Sequence, residues 1–100
     1  MLMETINMSI PLNNDDRYFR LSNFYASVFL LAKDQTLVNI ERLATDPKRS
    51  QFVFLDSPER ELLLQNFNFA KENSPEVMVD ARKFVTVIKQ LKNSLYSEGF

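Results

Sequence analysis

The chain has no cysteine, no histidine and a single glycine in 100 residues. Each absence removes a class of chemistry. Without cysteine there is no disulfide, no thiolate nucleophile and no cysteine-ligated zinc, a composition that fits a cytoplasmic chain. Without histidine the usual general base near neutral pH is missing, and so are the serine–histidine and cysteine–histidine nucleophile systems. The one glycine is Gly99, so neither a phosphate-cradling loop nor a dinucleotide fingerprint exists. Turns must then be built from Asn, Asp, Ser and Pro. No apolar run approaches the roughly 18 residues that a membrane-spanning helix needs. Met1-Leu2-Met3-Glu4 lacks the basic region and following apolar run of a signal peptide. Neither sign of charge is in excess: 12 basic and 13 acidic residues leave a formal net charge of -1, with no global polybasic signal for nucleic acid or an anionic membrane.

Carboxylates are the chemistry that remains. Asp15, Asp16, Asp46, Asp56, Glu59 and Glu61 could in principle hold magnesium. Each has a simpler role as a turn former, a helix cap or a solvated charge. The expectation is therefore a chain that is not an enzyme and carries no cofactor or metal.

What is present is a core. Nine phenylalanines in a chain long enough to bury roughly two-thirds of its unfolded surface point to one aromatic-rich domain. Residues 1–16 read as a flexible leader, although Ile6, Met8, Ile10 and Leu12 alternate as an added edge strand would. The domain covers 17–100. A short strand is expected at 17–21, then a helix at 23–33 with Ser22 as its cap. Strands follow at 36–43 and 51–55, joined by a hairpin with Thr45-Asp46-Pro47 in the turn. Asp56-Ser57-Pro58-Glu59 opens a second helix that runs to about Lys71. A brief strand at 77–79 precedes Asp80, the cap of a third helix over 81–97. That helix carries Phe84, Ile88, Leu91 and Leu95 at spacings of 4, 3 and 4, an amphipathic stripe.

The fold class is therefore α+β: a small antiparallel sheet with helices, in the order β-α-β-β-α-β-α. The first six elements match the ferredoxin-like, split βαβ arrangement, with an added C-terminal helix. The third strand is apolar on both faces, Phe52 and Phe54 on one and Val53 and Leu55 on the other. A sheet with helices on one side should alternate apolar and polar residues, so something must cover the second face: the third helix, a second subunit or a ligand.

Charge segregates locally. The third helix holds Arg82, Lys83, Lys89 and Lys92 with no acidic residue between Ala81 and Ser97, and Lys48 and Arg49 stand in the hairpin. Such cations can bind phosphates, or simply complement a helix dipole and keep the helix soluble. In a ferredoxin-like sheet the open face of the central strands can stack single-stranded bases, which makes Tyr18 or Phe19 of the first strand and Phe52 and Phe54 of the third candidates. Phenylalanine in a strand can equally be core.

Ser22-Asn23-Phe24-Tyr25-Ala26 leading into Phe29-Leu30-Leu31, then Phe52-Val53-Phe54 with Asp56, then Val79-Asp80-Ala81, Phe84, Leu91-Lys92 and Leu95-Tyr96 give the chain a resemblance. It is similar to a family of short, uncharacterised bacterial domains over about residues 18–96. The resemblance implies a compact domain and supplies no catalytic residue.

Two functional expectations follow. The first is a small non-catalytic module that binds single-stranded DNA or RNA, with Lys48, Arg49, Arg82, Lys83, Lys89 and Lys92 on phosphates and Phe52 and Phe54 on bases. The second is a structural or adaptor protein that packs an apolar sheet face against another copy or another protein.

Overall fold

A computed structural model describes residues 16–43 and 46–97, without side chains at 43, 46–48 and 97. Its elements are β1 (Tyr18–Leu21), α1 (Phe24–Ala32), β2 (Leu37–Leu43), β3 (Asp46–Leu55), α2 (Arg60–Phe69), a 3-10 turn (Pro75–Val77) and α3 (Ala81–Ser97). This is an α+β fold. The leader read over 1–16 lies, but for Asp16, outside the described residues.

The sheet has the order β1-β3-β2, and both pairs are antiparallel. β1 and β2 therefore run parallel to each other with β3 between them, joined by α1, as the split βαβ reading requires. The fourth strand expected at 77–79 is not formed. Pro75 opens a single 3-10 turn instead, and Met78 follows it in extended backbone. The Met78 carbonyl accepts a hydrogen bond from Lys33 Nζ at 2.9 Å rather than from a neighbouring strand. Among the described residues the sheet thus stops at three strands.

β3 is longer than its sequence suggests. It begins at Asp46, opposite Leu43, so Asp46 and Pro47 lie in the strand and not in a turn. β1 pairs only with Phe52 to Leu55, so β3 has a single neighbour near Pro47, a one-sided stretch that tolerates proline.

Helix ends follow from local chemistry. Asn23, not Ser22, caps α1: its side chain accepts from the Ala26 N–H at 2.9 Å. α1 ends in a Schellman turn, in which the Gln35 N–H reaches the Leu30 carbonyl and the Asp34 N–H reaches that of Leu31. That turn needs a left-handed residue, usually glycine, and here Asp34 takes it at φ 68°. Asn73 takes the same left-handed region at φ 69°, in the turn that Ser74 N–H closes onto the Lys71 carbonyl. The glycine-poor chain uses Asp and Asn because their short polar side chains tolerate this region best. At α2 no side chain caps the first turn; Asp56 instead accepts from the Ser57 N–H ahead of the helix and from Nε and Nη2 of Arg60. Asp80 caps α3 as expected, accepting from the Lys83 N–H at 3.0 Å.

The core lies between one sheet face and the helices. Val28 and Leu30 of α1, Phe52 and Phe54 of β3, and Val87 and Leu91 of α3 form its buried centre, with Leu21, Phe24, Leu37, Ile40 and Leu63 packed around it. Full burial of side chains of this kind contributes about 1.5–3 kcal/mol each. α1 is buried on most of its surface, down to Ser27, whose hydroxyl donates to the Asn23 carbonyl. α2 buries no residue completely and holds on through Phe67, whose ring sits 5.1 Å from that of Phe29, and through Arg60, which stacks on Phe19 at 3.8 Å.

The third helix does not cover the second sheet face, since Val87 and Leu91 join Phe52 and Phe54 on the other side; an ion pair lies over part of that face, while Leu55 on it stays 45% exposed. Arg20 of β1 makes a bidentate ion pair with Glu41 of β2, at 2.9 and 3.0 Å. These strands are not neighbours, so the pair straddles β3. Arg20 stands opposite Val53, which is fully buried.

Candidate nucleic-acid interface

α3 is the element that gathers cations. Its inward stripe (Phe84, Val87, Ile88, Leu91 and Leu95) is fixed against α1 and the sheet. The 3.6-residue period then turns Arg82 and Lys89 away from that stripe and sets Lys92 along its flank beside Ile88, and all three are exposed. Val85 and Tyr96 lie on the same side as these cations, and Tyr96 is 70% exposed. Lys89, Lys92 and Tyr96 are spaced 3 and 4 residues apart, so they neighbour one another on the helix surface. No acidic residue interrupts the face within 81–97.

Lys83 stands apart from this group. Its Nζ lies 2.8 Å from Asp34 Oδ1, and the Lys83 hydrogen bond, helped by its charge, holds the Asp34 carboxyl below the usual carboxylate range. Lys83 thus ties the start of α3 to the end of α1, and part of its charge is answered within the fold. The Lys48 side chain lies outside the described residues.

Arg49 occupies a separate position. β1 ends opposite Phe52, so no strand flanks β3 on that side at Arg49. The Arg49 Nη2 donates to Ser22 Oγ at 3.3 Å. Ser22, Arg49, Ser50, Phe24, Phe52 and Leu95 line a cleft of about 270 Å³. Arg20 and Arg60 are each paired with a carboxylate; Arg49 has no carboxylate partner among the described residues.

Phe52 and Phe54 do not take the role expected of them. They are 2% and 1% exposed, on the sheet face that α1 and α3 cover, so no base can stack on them in the folded chain. Their strand positions gave no hint of which face the helices would choose. Tyr96 is the aromatic that the sequence reading passed over. Its signal was available in its spacing from Lys92 and Lys89.

Two further clefts share Leu37 and Ser94 and run between β2 and α3; the larger, about 390 Å³, is lined by Leu31, Leu37, Lys83, Val87, Gln90, Leu91 and Ser94. The wall of the larger is mainly apolar but includes Lys83, and the smaller is the more polar of the two. Among the described residues no three acidic side chains gather as a metal site would require. No helix there is long and apolar enough to cross a membrane.

Comparison with known proteins adds the family. No curated protein and no solved structure matches the chain. A family model does match, over residues 16–97, which takes in every element from β1 to α3. The chain belongs to the family described as Domain of unknown function (DUF5659).

Proposed function

We propose that this domain is a non-catalytic module that binds single-stranded nucleic acid through the outward face of α3. The observation that carries the reading is the grouping of Arg82, Lys89, Lys92 and the exposed Tyr96 on one helix face without an acidic residue. In a chain of net charge -1, such a face is a local electropositive strip. The three cations contact phosphates and Tyr96 stacks on a base, the role first assigned to Phe52 and Phe54.

Fluorescence anisotropy with labelled oligothymidylate and oligouridylate tests it. Three phosphate contacts on a single strand give a log–log salt slope of about -2. Lys89→Glu/Lys92→Glu should abolish binding, and Tyr96→Ala should weaken it by about 1–3 kcal/mol. No binding at low salt, where electrostatic attraction is strongest, defeats the reading.

A structural or adaptor role is the second reading. It draws support from α2, where Leu62 and Phe69, seven residues apart on one helix side, are 60% and 80% exposed. Its partner would meet α2 rather than the sheet face, which carries the Arg20–Glu41 pair. Molar mass in solution tests self-association: a dimer that Phe69→Ser makes monomeric would favour this reading.

A further inference from the structure

We propose that the cleft beside Arg49 is a binding pocket for one nucleotide unit, with the phosphate on Arg49, Ser22 and Ser50 and the base against Phe24 and Leu95. The proposal deepens the single-strand reading and rests on it for the choice of a nucleotide as ligand.

Three observations support it. Arg49 is an exposed guanidinium whose one partner among the described residues is a neutral hydroxyl, Ser22 Oγ at 3.3 Å. A guanidinium without a carboxylate is free to take a phosphate in a forked, charge-assisted pair, which is the geometry it suits best. The hydroxyls of Ser22 and Ser50 line the same cleft and can donate to the remaining phosphate oxygens. The floor is apolar: Phe24, Phe52 and Leu95, with the Phe24 ring held edge-on to Phe52 at 6.2 Å and to Tyr25 at 5.1 Å. An apolar floor with a few convergent polar groups is the usual form of a small-molecule site. A cleft of about 270 Å³ is at or below the small end of such sites, roughly 300–1,000 Å³, and so suits a single nucleotide and not a longer stretch.

The cleft also has a fixed relation to the α3 face. Leu95 closes it, and Lys92 lies one helical turn earlier. A strand whose terminal nucleotide sits at Arg49 can therefore continue onto Lys92 and Lys89.

The test is titration of the full chain with uridine monophosphate, uridine and inorganic phosphate, followed by amide shifts in ¹⁵N–¹H NMR spectra. The expected result is saturable shifts at Ser22, Arg49, Ser50 and Leu95 with the monophosphate, and weaker ones with uridine or phosphate alone. Arg49→Ala should weaken the monophosphate about tenfold or more, the loss of a charged hydrogen-bonded pair. Ser22→Ala should weaken it less, and both variants should keep the wild-type spectrum elsewhere. No shift at these four residues at millimolar monophosphate, or equal affinity in Arg49→Ala, overturns the pocket. Lys89→Glu/Lys92→Glu separates the two ideas. If that variant loses long strands but still binds the monophosphate at Arg49, both stand. If wild-type protein binds the monophosphate and no strand, the pocket stands and the single-strand reading falls. If strands bind with or without a 5′-phosphate alike and the monophosphate does not bind, the pocket falls alone. A 5′-phosphorylated strand that outcompetes its unphosphorylated twin marks the strand end as the source of the nucleotide, and free monophosphate binding without that preference marks a soluble nucleotide.

Discussion

Leu91→Ala tests whether α3 belongs to the core or merely rests on it. Leu91 is 2% exposed and packs with Val28, Leu30, Phe52, Phe54 and Val87. The substitution removes three carbon atoms, a transfer loss of about 2.4 kcal/mol at ~0.8 kcal/mol per methylene. A cavity adds about 24 cal/mol per Å³ where it stays sealed. Here Leu91 also lines the open cleft of about 390 Å³ between β2 and α3, so the space left behind joins existing solvent-accessible space and that addition is small. The expected total is about 2.5–3.5 kcal/mol, in the lower half of the range for buried Leu→Ala changes. At roughly 4–8 °C per kcal/mol for a domain of this size, Tm should fall by roughly 10–28 °C. Urea unfolding followed by far-UV circular dichroism measures it, with an unchanged m-value as the control for two-state behaviour. Val85→Ala, on the exposed side of the same helix, should stay within about 0.5 kcal/mol of wild type. A loss below about 1 kcal/mol for Leu91→Ala, or equal losses for the two variants, would refute the assignment of α3 to the core.

Other perturbations read other parts of the fold. A double-mutant cycle on Arg20→Met and Glu41→Gln should give a coupling of about 1–2 kcal/mol, above the usual exposed pair, because the bidentate pair is only 12% and 31% exposed; coupling indistinguishable from zero would mean that it does not clamp the sheet. The hydrogen bond from Arg20 lowers the Glu41 pKa, and that from Arg60 lowers the Asp56 pKa. Both groups bind fewer protons when folded, so their stabilisation is present above the unfolded carboxylate range near pH 4 and is lost as pH falls through the folded values. Urea midpoints taken from pH 6 to pH 2 should drop in that acid window, and less so in Glu41→Gln. Asn73→Ala should destabilise by about 1 kcal/mol because φ is positive there, while Asn73→Gly should be close to neutral; thermal melts of the two variants give the comparison. Asp80→Ala should cost about 1 kcal/mol through loss of the α3 cap, read as a lower urea midpoint.

What the sequence made legible is what depends on near neighbours. α3 could be read to its ends because Asp80 caps it and its stripe keeps the helical period throughout. The Asp- and Asn-based turns followed from the lack of glycine. What depends on distant partners was less visible. Phe52 and Phe54 alternate with Val53 and Leu55, and alternation alone does not say which face the helices cover. The closure over Val53 needed Arg20 and Glu41, 21 residues apart, to meet across a strand that separates them. Val77 to Val79 had strand-like side chains, but Pro75 and the claim of Lys33 on the Met78 carbonyl decide against a ladder. On the site, the clustering of Arg82, Lys89 and Lys92 was legible from spacing. The isolation of Arg49 beside Ser22 depends on where β1 stops.

The position of β3 bears on how this protein would fail. Gln51-Phe52-Val53-Phe54-Leu55 is uncharged, aromatic and β-branched, the composition that stacks into fibrils once its edges are free. Phe52, Val53 and Phe54 are paired on both sides, so the centre of this segment has no free edge in the native sheet. Among the described residues the edges beside it are a four-residue strand, β1, and a strand interrupted at Val38, β2, both poor templates for a neighbouring chain. Self-assembly through Gln51–Leu55 must wait until β1 or β2 peels away, which makes the lifetime of those two short pairings a kinetic guard against aggregation.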